Sequence, residues 1–162
     1  MITIYYNKTS GVRNKLVLWL LGFGTFVHTK LYCNRAAWGI NLESLLASPK
    51  DSLGYHLSEF YRTQKFEPIP KAEHHDVFHV LFGYNTDVRD EVCMQFVLAG
   101  NGKRSPFTLS TCVISLLLFP EHFNYFKKAW QRGKNSLPFT HLHFKQFLNK
   151  DIIQLRNQFK LI

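Results

Sequence analysis

Apolar residues recur at helical spacing along most of this chain, and strict alternation over the length of a strand is scarce. Leu53, Leu57, Phe60 and Tyr61 fall on one helical face, as do Phe144, Phe147, Leu148, Ile152, Leu155 and Phe159. Met1–Tyr6 is rich in β-formers, but it is terminal and isolated and need not be a strand. Breakers mark the joints. Pro49 follows a helix expected from about Gly39 to Ala47, and Pro68 with Pro70 separates a helix near Leu53–Arg62 from the next. Gly83-Tyr84-Asn85-Thr86 interrupts a helix beginning near Ala72, and Thr86 or Asp87 can cap another running to about Ala99. Turns are expected at Asn101-Gly102 and from Gly133 through Pro138, and the last segment, Phe144 to Phe159, reads as a terminal helix. The pattern predicts an all-α, single-domain bundle of about seven to eight helices spanning residues 1–162.

A chain of 162 residues with 46% hydrophobic and 19% charged residues has enough apolar surface for a core and is not a disordered tail. The net charge of +9 is unevenly placed. No acid precedes Glu43, and after Glu121 the only acid is Asp151, so nearly all carboxylates lie between Glu43 and Glu91. Basic ends suit an anionic membrane surface, a nucleic acid or a negatively charged substrate, and equally a solvated face with no dedicated partner. No recognition helix or aromatic-basic sheet motif accompanies the charge, which argues against nucleic acid. Cys33, Cys93 and Cys112 are odd in number and none sits in a CxxC, which argues against a disulfide framework and a thiolate metal site. The longest greasy runs, Leu16–Val27 and Phe107–Phe119, fall short of the roughly 18 to 20 residues a spanning helix needs. The first imitates a signal peptide after Arg13 and Lys15, but it starts late and no small-residue cleavage site follows. Both runs read as buried or interfacial helices, in a protein that touches a membrane rather than crossing it.

The stretch His75-Asp76-Val77-Phe78-His79 carries the most chemistry. Residues four apart on a helix sit nearly above one another, so His75 and His79 can present two imidazoles to one point, with Asp76 near the same face. Such a helix needs a further ligand from elsewhere. Glu91 falls in the first turn of the next helix, which can return antiparallel after the Gly83 turn. Two nitrogens and two carboxylates suit Zn²⁺, Fe²⁺ or Mn²⁺, and with sulfur absent the donors do not select zinc by softness. By spacing alone, a histidine pair carried idly on an exposed helix stands as the alternative.

H-D-x-x-H, eleven residues, then E is the signature of the ubiquinone (coenzyme Q) biosynthesis protein 4 family, which this chain resembles. It stands here as His75, Asp76, His79 and Glu91 with VLFGYNTDVRD between. Leu81, Gly83 and Thr86 resemble that family's H-x-L-x-G-x-x-T turn, Ser52-Leu53-Gly54 with Leu57 and Phe60 its glycine-containing helix start, and Ala129–Gly133 its A-x-x-x-G helix end. The final segment with Leu155-Arg156 resembles its terminal helix, and the likeness covers roughly residues 45–160. Two departures stand out. Asp90 replaces the glycine usual before the glutamate, and the stretch between Phe60 and His75 is short.

The resemblance implies an all-helical protein that binds a divalent metal, zinc foremost with iron or manganese as alternatives. It implies peripheral association with a membrane, on the cytoplasmic side of the inner membrane in a bacterium, and accommodation of a polyprenyl lipid. The activity implied is oxidative decarboxylation, a hydroxylation at ring carbon one, of a prenylated 4-hydroxybenzoate-derived precursor. His75, Asp76, His79 and Glu91 would be the catalytic residues, as metal ligands or as groups orienting water there. His74 would be an outer donor or face solvent. Leu16, Leu20, Leu116, Leu117 and Phe119 would cover the prenyl tail. Other quinone-biosynthesis proteins, and a second copy of the chain in a homodimer, are the protein partners it admits.

Two other classes compete. A non-catalytic scaffold that organises quinone-biosynthesis enzymes would use the metal structurally, as a closed four-ligand site suggests. A zinc hydrolase would read His75-Asp76-x-x-His79 as a shortened HExxH, but its acid is one methylene too short for the general base and Glu91 is atypically close for a third ligand. A phosphohydrolase drafting His28 or His56 with Asp151 finds no support in their surroundings.

Overall fold

A computed structural model describes residues 11–27 and 37–161, with the backbone alone at 18, 20, 21 and 23–27. Among the described residues there are eight α-helices and two short 3₁₀ turns, and the only β-type pairing is an isolated bridge. The helices are α1 (Val12–Val27), α2 (Leu42–Leu46), α3 (Leu53–Gln64), α4 (Glu73–Phe82), α5 (Val88–Gly100), α6 (Pro106–Leu118), α7 (Phe123–Asn135) and α8 (Ile152–Gln158). The all-α class and the number of helices agree with the sequence pattern. The chain parts into two compact units, Met1–Tyr32 with Tyr84–Thr140, and Cys33–Gly83 with His141–Ile162.

In the first unit, α5 packs against α7 and α6, and α1 lies against α6. Helix α5 is buried on nearly every side, from Val88 through Ala99 with Arg89 excepted, as expected of a helix that is apolar almost all round. Asp87 starts it by accepting the backbone N–H groups of Arg89 and Asp90 at 3.0 and 3.1 Å. The expected turn at Gly133 is instead helical, because α7 runs on to Asn135. Gly133 marks a close approach of backbones: a Cβ there would collide with the Val97 carbonyl of α5 and stand 3.0 Å from the Asn101 nitrogen. Asn101 then ties the end of α5 to the segment after α7, donating to Gly133 and Leu137 carbonyls and accepting the Phe139 N–H at 2.9 Å.

In the second unit, α3 packs on α2 and on α4, and α4 also meets α8 and the 3₁₀ turn Phe144–Phe147. Helix α2 is shorter than expected because the Asn41 side chain caps it, accepting the Ser44 N–H at 2.7 Å. The terminal helix expected from Phe144 to Phe159 is broken into that 3₁₀ turn and α8, whose N-cap is Asp151. The break is structural: Ser52 pairs with Asp151 in an antiparallel bridge, and Leu53 and Gly54 at the start of α3 donate to the Lys150 and Leu148 carbonyls at 2.8 and 2.7 Å. Met1–Tyr6, His28 and Cys33 lie outside the described residues. No single helix among the described residues is long and apolar enough to cross a membrane.

Candidate metal centre

Helix α4 turns its apolar side, Val77, Phe78 and Leu81, into the core and gathers polar groups elsewhere on its surface. Glu73 and Asp76 occupy its first turn, where negative charge complements the helix dipole. Its last turn is satisfied twice. Gly83, in the left-handed region at φ 70°, donates to the His79 carbonyl, and the Arg156 guanidinium of α8 donates to the Val80 and Leu81 carbonyls at 2.8 and 3.0 Å.

His75 is half-buried and His79 buried, and their Nε2 atoms stand 3.1 Å apart with the rings 80° from coplanar. Two ring nitrogens that both carry lone pairs repel at that distance; a shared proton or a common cation removes the conflict. Ligands about 2.0–2.1 Å from a tetrahedral zinc are about 3.3 Å from each other, so the pair has the spacing of two nitrogens on one ion. The Phe60 ring stacks on His79, centroids 5.2 Å apart and planes 16° from parallel. Tyr61, 1% exposed, donates its hydroxyl to Asp76 Oδ2 at 2.9 Å. Burial first, and then the Asp76 charge, push the Tyr61 hydroxyl far above the ordinary phenol range, so it remains a donor.

Helix α5 supplies Glu91 in its first turn, buried at 6% exposure. Among the described residues, His75 and His79 in one unit and Glu91 in the other carry donor side chains of the kind that hold a metal ion. Two imidazoles and a carboxylate form a borderline donor set that suits a divalent transition metal. Asp90, the departure from the expected glycine, is a buried carboxylate that accepts the Asn85 N–H at 3.0 Å and the Tyr125 hydroxyl at 3.3 Å and pairs with Arg89. Its charge is thus held within its own unit.

The other expected positions scatter. His74 is half-buried, edge-on to Trp38 and Phe78 and packed on Phe144. Leu16 and Leu117 are exposed, at 48% and 77%, Leu116 is half-buried, and the side chain of Leu20 lies outside the described residues. Phe119 is buried under the Arg13 guanidinium and borders a cavity of about 130 Å³ with Val88, Val92 and Phe126. Sequence reasoning missed Phe60 and Tyr61 as neighbours of the motif. A tyrosine on an apolar helical face was the available signal, because a buried hydroxyl needs a partner. It also missed Glu73, 3% exposed, whose Oε1 accepts the Trp38 N–H at 2.9 Å. The thiols of Cys93 and Cys112 are buried and raised by that burial, Cys112 up to about 12, which makes them poor nucleophiles.

A family model described as coenzyme Q (ubiquinone) biosynthesis protein Coq4 matches residues 70–162, more than half of the chain. A crystal structure from Nostoc punctiforme PCC 73102, described as that of a ubiquinone biosynthesis protein, superposes with a TM-score of 0.63 over 93% of this chain and 82% of that one. Sequence identity is 14%, so this likeness is one of fold. No curated protein matches the sequence. The matched segment contains both histidines and the glutamate of the candidate site, and the protein belongs to the Coq4 family of ubiquinone biosynthesis.

Proposed function

We propose that this protein is a metal-dependent enzyme that oxidatively decarboxylates a polyprenylated 4-hydroxybenzoate-derived precursor at ring carbon one, with dioxygen as oxidant and an external two-electron reductant: the carboxyl leaves as carbon dioxide, one oxygen atom becomes the ring hydroxyl and the other leaves as water. The observation that carries the reading is the 3.1 Å approach of the His75 and His79 Nε2 atoms, together with a buried carboxylate at Glu91. His75, His79 and Glu91 are assigned as ligands, of zinc first and of iron or manganese as alternatives. A bound divalent ion supplies a Lewis acid that stabilises charge on the ring carboxylate or phenolate. The chain's own contribution is to hold the imidazoles in one orientation and to keep Glu91 away from bulk water. Asp76 has two roles open to it, ligand or orienting group.

Exposed apolar side chains on α1 (Val12, Leu16, Trp19) and α6 (Leu109, Val113, Leu117), with Arg13 and Lys15 nearby in sequence, support peripheral contact with an anionic membrane and shelter for a prenyl tail. On this reading the enzyme works at the cytoplasmic face of a bacterial inner membrane, beside other quinone-biosynthesis proteins, as a monomer or homodimer. With Asp76 as an orienting group, a donor set of three leaves a coordination position for substrate, which favours catalysis over a structural scaffold.

The test is elemental analysis of purified protein together with turnover of the prenylated acid, followed as loss of carbon dioxide and gain of a hydroxyl in the product. Wild type should hold about one ion per chain and turn over, and His79→Ala should lose the ion. Glu91→Gln should keep the fold with turnover lost. Collapse of the fold in Glu91→Gln, or a metal-loaded wild type that leaves the acid untouched, supports the scaffold instead.

A further inference from the structure

Asn101-Gly102 is the only Asn-Gly pair in the chain, and the fold demands each residue for its own reason. Helix α5 ends in a reversed turn: the Gly102 N–H donates to the Ala99 carbonyl at 3.1 Å and the Lys103 N–H to the Leu98 carbonyl at 2.9 Å. That closure puts Gly102 in the left-handed region at φ 95°, where glycine fits without strain. Asn101 ties the end of α5 to the segment after α7. Its amide donates to the Gly133 and Leu137 carbonyls at 3.1 and 3.0 Å, and its oxygen accepts the Phe139 N–H at 2.9 Å. The same pair is chemically labile, because a glycine nitrogen, with no neighbouring Cβ in the way, can attack the asparagine Cγ and close a succinimide. In the closed protein that attack is blocked. The Gly102 nitrogen has its proton on the Ala99 carbonyl, a ψ of 10° at Asn101 turns it away from the side chain, and the carboxamide is fixed on the α7 side.

We propose that Asn101 is a deamidation site gated by the seam between α5 and α7. It is inert while the seam is closed, reactive when the seam opens and, once converted, a block to reclosure. The step balances without oxidant or reductant. Hydroxide takes the Gly102 amide proton, the nitrogen adds to the Asn101 Cγ, and the side-chain nitrogen leaves as ammonia. Water then opens the succinimide at either carbonyl, giving aspartate or isoaspartate. The product carboxylate keeps an acceptor for the Phe139 N–H but has no N–H for the Gly133 and Leu137 carbonyls, and it sets negative charge against their oxygens. Where isoaspartate forms, the backbone gains a methylene and the reversed turn after α5 loses its spacing. Gly133, whose missing side chain lets the backbones of α5 and α7 meet, borders the same seam. Close packing and chemical protection thus share one structure, and each opening of it risks a permanent covalent record. The inference is independent of the metal reading.

The test incubates the full chain at mildly alkaline pH with a thiol reductant, in buffer and in guanidinium chloride. Deamidation is read by mass spectrometry of the tryptic peptide containing Asn101. In buffer, Asn101 should convert at least about a hundredfold more slowly than in denaturant, because reaction requires opening. Guanidinium well below the unfolding midpoint should already speed it, as the open population grows. Gly133→Ala, which strains the seam, should convert at least about tenfold faster than wild type in buffer. Chains held in denaturant until Asn101 has converted should not recover the native midpoint on dilution, whereas chains held briefly should. Asn101→Asp should show a lowered midpoint with no incubation at all, which separates the carboxylate from other damage. The proposal is overturned by conversion in buffer as fast as in denaturant, by a denatured chain in which Asn101 converts no faster than the other asparagines, or by an Asn101→Asp protein with the wild-type midpoint. Should either variant fail to fold, the wild-type rates and the recovery after the long hold decide.

Discussion

Helices α4 and α5 follow one another in the chain, both are largely buried, and they are built on opposite plans. Helix α4 is held by side chains sent from elsewhere: Tyr61 and Phe60 from α3, Arg156 from α8, and the Trp38 backbone on Glu73. Helix α5 is held by the absence of side chains. Glycines at 100 and 133 let its backbone meet that of α7, and its polar groups are confined to the first turn and Gln95, which accepts the Thr108 hydroxyl. The first plan fixes the direction of polar groups, because each of these contacts is a donor, an acceptor or a ring face. The second fixes position without direction, through shape.

This contrast is most severely tested at Gly133. Alanine there must push α5 and α7 apart, since the obstruction is backbone, and the expected loss is about 3 kcal/mol or more in urea-induced unfolding. A Gly133→Ala protein as stable as wild type would mean that the α5–α7 contact has slack. Next in size is Arg156→Ala, which strips two carbonyls at the end of α4 of a charged donor. A loss of about 2 kcal/mol is expected, with faster amide exchange in the last turn of α4. Uniform protection in that turn would show that α4 does not depend on its borrowed guanidinium. Asp87→Ala removes the acceptor for two N–H groups at the start of α5 and should cost about 1 kcal/mol.

The last effect is one of pH, read at Cys112 on α6. Burial raises the Cys112 thiol from 9.0 to about 12, so the unfolded chain releases this proton first. The sign follows: the contribution is complete below pH 9 and disappears as pH climbs through 12. Replacing Cys112 by Ala should flatten the alkaline limb of a plot of urea midpoint against pH. In the native protein, iodoacetamide should label Cys93 and Cys112 only slowly at about pH 8.

The pairing of the histidines at 75 and 79 was legible because helical spacing alone puts two imidazoles on one face. The caps at Ser52, Asp87 and Asp151 are side-chain chemistry that a sequence displays directly. What stayed hidden depends on which groups meet in space. Gly133 reads as a turn residue until α7 is seen lying on the Val97 carbonyl, since a glycine needed for contact and one needed for a turn look alike. Tyr61 reads as one more apolar position on α3, because no local pattern records the Asp76 carboxylate fifteen residues on. The break before α8 follows from a bridge to Ser52, about a hundred residues earlier, which no window on the terminal segment contains.

That same bridge makes the tail of the chain a remote guardian of the motif. A polypeptide ending just before Asp151 would keep each of the four motif residues, yet it would lose the Ile152 bond to Asp51 beside α3 and the guanidinium clasp on α4 together. Late nonsense changes in such a gene should therefore be as damaging as changes in the histidines themselves, although none of the groups lost belongs to the motif.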